Sequence, residues 1–346
     1  MRYPNTGLGQ FILLLVRAMD AEKPSADITY LVHAASRSLL PPVDSRHVVY
    51  LNWFRRHLPA WILPAQFPRY DLWHISSEMS RISRFPKSSR VLVTLHGLHF
   101  LDEDPPELAA RKLKEVQQLI DRADGIATVS AFTEALVRKH LELRGQPIRV
   151  IPHGVEDTPG NDQRPRAGLP DGKFLFSIGT FFERKNFHVL LPFLQQLDGY
   201  SLVLAGNSRT PYGDFIREEI NRWSLSDRVF LPGEVNDAEK RWLYRHCEAF
   251  VFPSLSEGFG IPVIEAMKAG KPVFCSTRGS LPEVGGEEAF YWHEFAPGEM
   301  KDVFMEGISK FRSQPEKEQN CRRRADSYTW KRAAQSYLAF YSELLR

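Results

Sequence analysis

Apolar residues in this chain fall into short, nearly unbroken runs separated by longer stretches of helical period. In the first half the runs are residues 28–33, 72–75, 90–95, 125–129 and 148–151. In the second they are 174–178, 201–205, 228–231, 249–252, 272–275 and 289–291. A strand apolar on both faces belongs in a parallel sheet covered by helices on either side. Helices are predicted between the strands. An apolar one starts at Phe11 and runs to about Met19, after a breaker-rich turn that holds Gly7 and Gly9. Residues 105–123 carry Leu108, Leu113, Val116, Leu119 and Ile120 at helical spacing, and Ser130 is placed to cap a helix over 131–143. Further helices are predicted over 187–197, 214–223 and 238–245, with a short one from Pro262. Residues 330–345 form an amphipathic helix with Ala333, Tyr337, Phe340, Tyr341 and Leu344 on one side.

The alternation is interrupted at residues 156–172, where three prolines and three glycines stand among charges with no apolar period. This stretch reads as a linker. The expected fold class is therefore α/β, with two Rossmann-like, doubly wound parallel-sheet domains facing each other across a cleft at the carboxyl ends of their strands. The domains are placed at 1–157 and 173–328, the linker at 158–172, and a separate terminal helix at 329–346.

Composition adds limits rather than direction. With 346 residues, 43% hydrophobic and 25% charged, the chain has ample material for two cores. A net charge of +3 argues neither for nor against nucleic acid, for which a local basic patch would matter more than the total; no nucleic-acid partner is expected. Cys247, Cys275 and Cys321 lack metal-ligand spacing and read as buried, reduced thiols. No signal-peptide pattern opens the chain, and the apolar run 11–16 is too short to span a bilayer, so a cytoplasmic location is expected.

The densest candidate chemistry lies in residues 252–270, Phe-Pro-Ser-Leu-Ser-Glu-Gly-Phe-Gly-Ile-Pro-Val-Ile-Glu-Ala-Met-Lys-Ala-Gly. A strand leads into a glycine-bearing turn and then a helix, with Glu257 on the turn and Glu265 early in the helix. Amides bared by Gly258 and Gly260, together with a helix N-terminus, favour an anion, while carboxylates accept from hydroxyls. A sugar nucleotide combines those parts. Glu265 alone is also explained as a glutamate stabilising a helix start; Glu257 is not.

Arg184 and Lys185 follow the strand 174–178, just before a helix that Asn186 is placed to cap. Two fixed cations there suit a departing diphosphate. His96 ends the strand 90–95, where it faces either a ligand hydroxyl or its own structural partners; His99 carries less promise. Asp102-Glu103-Asp104 resembles a metal-binding Asp-x-Asp element. It is better explained by Asp104 as N-cap, Pro105 at the first helical position and Glu107 closing a capping box. No metal is predicted. Residues 278–283 read equally as pocket lining or as a plain loop. Residues 52–73 hold Trp53, Phe54, Arg55, Arg56, Trp61, Phe67, Tyr70 and Trp73, a mixture that suits a membrane interface or an acceptor carrying lipid and phosphate but is explained more simply by helices and loops packed on the first sheet.

Taken together these motifs resemble the retaining GT-B glycosyltransferases of the large "group 1" family, which share an E-x7-E motif, here Glu257 and Glu265. Leu231-Pro-Gly233, Gly279-Ser-Leu-Pro-Glu283 and Gly179-Thr with Arg184-Lys185-Asn186 match as well. Gly7-Leu-Gly9, Thr94-Leu-His96, 129–133 and Ile151-Pro-His-Gly154 match more loosely. Two departures stand out: residues 1–6 are short for the strand that usually precedes the Gly-x-Gly turn, and Thr180 replaces a frequent arginine, so Arg184 must supply that charge.

The resemblance implies a hexosyltransferase using a nucleotide-diphosphate sugar, with no cofactor or metal and with retention through front-face attack. Glu257 would contact hydroxyls of the donor sugar and Glu265 the ribose. Arg184 and Lys185 would hold the pyrophosphate, assisted by Gly258, Phe259, Gly260 and Ile261. His96 would lie beneath the sugar and Gly9 near the phosphates. The helix 329–346 would cross back to the first domain. The variant looks most like bacterial polysaccharide mannosyltransferases, which points to GDP-mannose as donor. The acceptor would be an oligosaccharide or a lipid-linked saccharide of the cell surface, with peripheral contact at the inner membrane. The alternatives are a UDP-sugar enzyme of the same fold, an epimerase-like hydrolase, and a non-catalytic glycan-binding subunit.

Overall fold

The structure, a computed structural model, describes residues 7–33, 48–51, 69–78, 80, 85–156, 161–165 and 168–346. It divides into two compact units, one of residues Met1–Gly154 with Thr329–Arg346 and the other of Val155–Tyr328.

In unit 1, helix α1 (Gly7–Ala21) precedes β1 (Tyr30–His33), β2 (Val48–Leu51), β3 (Leu72–Ile75) and β4 (Arg90–Leu95). The short α2 (Phe100–Glu103) and α3 (Pro106–Ile120) lead to β5 (Gly125–Thr128), α4 (Ala131–His140) and β6 (Ile148–Val150). The described strands are all parallel but form two sheets, a β1–β2 pair and a four-stranded sheet in the order β3-β4-β5-β6. Strand β2 was missed by the apolar-run reading, although Val48-Val-Tyr-Leu51 is rich in β-formers. Ser130 caps α4 as expected, accepting from the Thr133 amide at 3.0 Å.

Two expectations need correction here. Helix α1 begins at Gly7, so Gly9 is its third residue, buried, and not part of a preceding turn. Asp104 does not cap α3. Pro105 is the N-cap and Pro106 the first helical residue, because a residue before proline is pushed to extended backbone, and Pro105 has ψ 146°. Asp104 instead ends α2 and pairs with Lys112 at 2.6 Å.

The amphipathic helix α12 (Trp330–Leu344) closes this unit. Its Trp330, Ala334, Tyr337 and Phe340 pack with Phe11, Leu15 and Met19 of α1 and with Leu92 and Ala127 of the sheet. A polar thread runs through the contact. His74 Nδ1 lies 2.7 Å from the Tyr341 hydroxyl and its Nε2 2.7 Å from that of Thr94, which in turn meets Tyr337 at 3.1 Å. Burial, with His96 nearby adding to it, lowers the His74 pKa to about 3, so the ring is neutral. Of the aromatic-basic stretch, Trp53, Phe54, Arg55, Arg56, Trp61 and Phe67 lie outside the described residues. Trp73 is buried on β3, edge-on to Tyr70 at 5.2 Å, as packing on the first sheet requires.

Unit 2 contains β7 (Lys173–Ile178), α5 (Leu190–Gln195), β8 (Tyr200–Ala205), α6 (Pro211–Arg222), β9 (Val229–Gly233) and α7 (Asp237–His246). There follow β10 (Ala249–Phe252), α8 (Ile261–Lys268), β11 (Val273–Ser276), α9 (Leu281–Gly285), β12 (Phe290–Trp292), α10 (Pro297–Ser313) and α11 (Glu316–Asp326). Its sheet is wholly parallel, in the order β12-β11-β10-β7-β8-β9. That is the doubly wound 3-2-1-4-5-6 order, whose direction reverses between β7 and β10. The central strands are buried on both faces: Leu175, Phe176, Phe250 and Val251 are fully inaccessible. Within the stretch read as a linker, Asp162 pairs with Arg245 of α7 at 2.7 Å. The three cysteines are free and buried. Among the described residues no helix is long and apolar enough to cross a membrane.

Candidate active site

In a doubly wound sheet, the strands diverge at the switch point and leave a crevice at their carboxyl ends. In unit 2 the loops after β7 and β10 flank that point. After β7 the chain enters a 3-10 turn at Glu183–Lys185. Asn186 then takes left-handed backbone, φ 56°, before a second turn. The expected Asn186 cap is not made: its side chain bonds no helix amide, and its part is to supply a φ that asparagine tolerates better than most residues. The Arg184 carbonyl accepts from the Leu255 amide at 2.7 Å, which ties the two loops together.

The side chains converge on Glu257. Lys185 Nζ stands 2.5 Å from Glu257 Oε1, and the same oxygen receives the Ser254 hydroxyl at 2.7 Å and Arg184 at 3.4 Å. Lys185 is 6% exposed and Glu257 8%, and the ammonium also sits 4.7 Å above the Phe252 ring. Charges this deep persist only when paired and hydrogen-bonded. The loop after β11 forms a back wall. Ser280 gives both its amide (3.1 Å) and its hydroxyl (2.9 Å) to the Glu257 carbonyl, and the Ser276 hydroxyl bonds the Ser254 carbonyl. Gly279 has φ 65°, and a Cβ there would stand 2.8 Å from the Glu257 backbone nitrogen and oxygen. Residues 278–283 read in sequence as pocket lining or as a plain loop; in the structure Gly279 and Ser280 have a third part, holding the Glu257 backbone from behind. Nothing in the sequence distinguished Ser254, Ser276 and Ser280 from ordinary turn serines.

Gly258, Phe259, Gly260 and Ile261 follow directly and open α8, with Gly260 left-handed at φ 96° as its N-cap. Phe259 is buried edge-on to Tyr328 at 5.4 Å. The loop thus sets two cations, a carboxylate and a helix N-terminus side by side, an arrangement able to take a polyanion and a hydroxyl together.

Glu265 stands apart from this group. Since α8 starts at Ile261, Glu265 is the fifth helical residue and not a first-turn glutamate, so helix-dipole stabilisation does not account for it. Its partners come from α7: Lys240 Nζ at 2.7 Å on Oε1 and the Tyr244 hydroxyl at 2.9 Å on Oε2. Burial raises the Tyr244 pKa well above its usual value, with the Glu265 charge adding to it, so the phenol stays protonated and donates.

His96 and Gly9 belong to unit 1. The His96 Nε2–H donates to the Ser76 carbonyl at 2.9 Å, and its amide donates to Glu78 at 3.0 Å. Its ring meets Phe11 of α1 edge-on at 4.5 Å and His153 at 5.3 Å. Burial lowers the His96 pKa, although the Glu78 charge and the Ser76 bond oppose the shift. His153, in the Ile151-Pro-His-Gly154 motif, is the neighbour that local reading did not single out.

Residues 161–328 match the family described as "Glycosyl transferases group 1", and residues 7–158 match "Glycosyltransferase Family 4". The chain belongs to the group 1 glycosyltransferases. It is 28% identical over 323 residues to the O-antigen chain mannosyltransferase B of Escherichia coli, covering 83% of either protein. The fold of this glycosyltransferase is GT-B. It superposes on sucrose-phosphate synthase from Thermosynechococcus elongatus with a TM-score of 0.78 at 20% identity, covering 98% of this chain and 93% of that one. Anabaena HepE in complex with UDP and glucose gives 0.77 at 18% identity, with 98% and 96% covered. The two glutamates of the E-x7-E motif thus occupy unlike surroundings in this glycosyltransferase, one under two cations and one between a lysine and a phenol.

Proposed function

We propose that this glycosyltransferase moves a hexose, mannose from GDP-mannose, onto a glycan or lipid-linked acceptor during cell-surface polysaccharide synthesis, with retention and without a metal. The observation that carries the reading is the convergence of Arg184, Lys185 and Glu257 at the switch point, beside the start of α8. As the bond from the sugar C1 to the phosphate oxygen breaks, negative charge grows on the diphosphate, and Arg184, Lys185 and the amides of residues 258–261 offset it. The bond from C1 to the acceptor oxygen forms on the same face, and the acceptor proton passes to the leaving phosphate oxygen. Glu257 accepts from the sugar hydroxyls, and Glu265 from the ribose. The choice of mannose leans on the Escherichia coli relative. An acceptor on lipid would place the enzyme in the cytoplasm, peripheral on the inner face of the plasma membrane.

A thermal-shift panel of GDP-mannose, UDP-glucose and ADP-glucose tests the donor, since a ligand at 100 times its Kd stabilises by about 2.7 kcal/mol. A shift with GDP-mannose alone supports the reading; a shift with UDP-glucose alone moves the enzyme to UDP-sugars, the nucleotide bound in HepE. Transfer is expected to persist in chelator and the first-formed product to keep the donor's anomeric configuration by NMR. Strict manganese dependence, or an inverted product, would refute those parts.

A further inference from the structure

Lys240 and Tyr244 lie one turn apart on α7, whose first turn follows β9 at the same carboxyl edge of the sheet as the Glu257 loop. They grip Glu265 from one side. Lys240 takes one carboxylate oxygen at 2.7 Å and Tyr244 the other at 2.9 Å. The phenol cannot wander: Tyr244 is 3% exposed, and its ring is wedged edge-on against Phe176 at 5.0 Å and tilted on Phe250 at 5.4 Å. Helix α7 is itself anchored by a capping box between Asn236 and Glu239. The Glu265 side chain nevertheless keeps 19% of its surface and that of Lys240 27%, so a ligand can reach them. A carboxylate accepts at about four lone-pair positions, two per oxygen. With one on each oxygen taken from the α7 side, the remaining pair lies in a fixed plane, one acceptor per oxygen. That matches two neighbouring hydroxyls on one ring.

We infer that Lys240 and Tyr244 are positioning residues that hold Glu265 as a two-point acceptor for a vicinal diol, and so set a preference for ribo- over 2′-deoxyribonucleoside diphosphates. The inference rests on the proposed reading of unit 2 as the nucleoside-diphosphate side. A pair of acceptors matched to two hydroxyls is left half unsatisfied by an analogue lacking one, and that mismatch is the source of selectivity.

The test is titration calorimetry on the full chain with GDP or UDP, whichever binds, and with its 2′-deoxy analogue. The unaltered protein is expected to favour the ribonucleotide by about tenfold or more. Lys240→Met and Tyr244→Phe are each expected to weaken the ribonucleotide by about tenfold while moving the deoxy analogue less than about twofold, with Lys240→Arg recovering most of the ratio. Tyr244→Phe keeps the ring packing, so it decides the matter if Lys240→Met fails to fold. Equal losses for both nucleotides, or binding without preference in the unaltered protein, overturn this inference and leave the transferase reading standing. No nucleoside diphosphate bound at all overturns both.

Discussion

Replacing Lys185 by methionine separates what the buried ion pair does for the fold from what it does for the reaction. The substitution keeps the stem that packs by Phe252 but removes the ammonium 2.5 Å from Glu257. Glu257 then keeps the Ser254 hydroxyl at 2.7 Å and Arg184 at 3.4 Å as partners. Stranding one member of a buried pair costs about 3–5 kcal/mol when nothing else compensates. With Ser254 and Arg184 still in place, the expected loss is about 2–3 kcal/mol. For a unit of this size that corresponds to a fall of roughly 5–10 °C in melting temperature. Adding Glu257→Gln removes the stranded charge, so the double variant is expected to regain at least half of the loss, with a coupling of about 1–3 kcal/mol. Transfer behaves differently: either single variant loses about 10²–10³ in kcat, and the double variant regains none of it. Calorimetric melts and a donor-saturated transfer assay read the two quantities separately. A Lys185→Met protein that melts within about 1 °C of the parent refutes the structural part of the reasoning. Full activity in that variant refutes the catalytic part.

Three further outcomes follow from packing and charge. His74 is neutral when folded, with its pKa near 3, and takes up a proton near its ordinary value of 6.5 once unfolded. The share of stability due to His74 is therefore full above pH 6.5 and falls by about 1.4 kcal/mol per pH unit as the medium is acidified towards pH 3, on top of what the buried His96 and His153 contribute in the same sense. His74→Asn makes that slope shallower by about one proton's worth in urea melts at several pH values, and an unchanged slope refutes the assignment. Gly279→Ala forces a Cβ to 2.8 Å from the Glu257 backbone at φ 65°, so it is expected to cost about 2–4 kcal/mol and lower transfer with it; a melt equal to the parent's is the contrary result. Asn236→Ala opens the capping box of α7 and is expected to cost about 1 kcal/mol in the same melts, with no loss indicating that the cap contributes nothing.

The parts legible in the sequence were those written locally. Runs such as Arg90–Leu95 and Ala249–Phe252 announce doubly buried strands by composition, and the turn from Glu257 to Gly260 announces its amides by its glycines. Glu265 shows where local reading ends. Its sequence offers only the account of an early-helix glutamate, which its place as the fifth helical residue removes, and its partners lie 25 and 21 residues away on another helix, where no spacing rule reaches. The same holds for Ser276 and Ser280, whose value lies in reaching back to the loop after β10. Paired prolines misled in the opposite sense: Asp104-Pro105-Pro106 offers two places for a helix to begin, and the backbone demand of the second proline decides between them. Strand order, which makes the loops after β7 and β10 neighbours, is likewise a property of the folded sheet alone.

The placement of α12 in unit 1 carries a consequence for synthesis on the ribosome. Unit 2 is contiguous in the chain, from Val155 to Tyr328, and can fold as soon as it has emerged. Unit 1 cannot close at that moment, because the helix that covers Phe11, Leu15 and Met19 and joins the His74 thread is still being made. At roughly 5–20 residues per second, the earlier-made unit waits on the order of ten seconds or more with an apolar face uncovered. Order of synthesis and order of completion are therefore reversed in this enzyme. Chaperone demand should fall on unit 1, and a stop codon shortly before Thr329 would spare unit 2 while leaving unit 1 open.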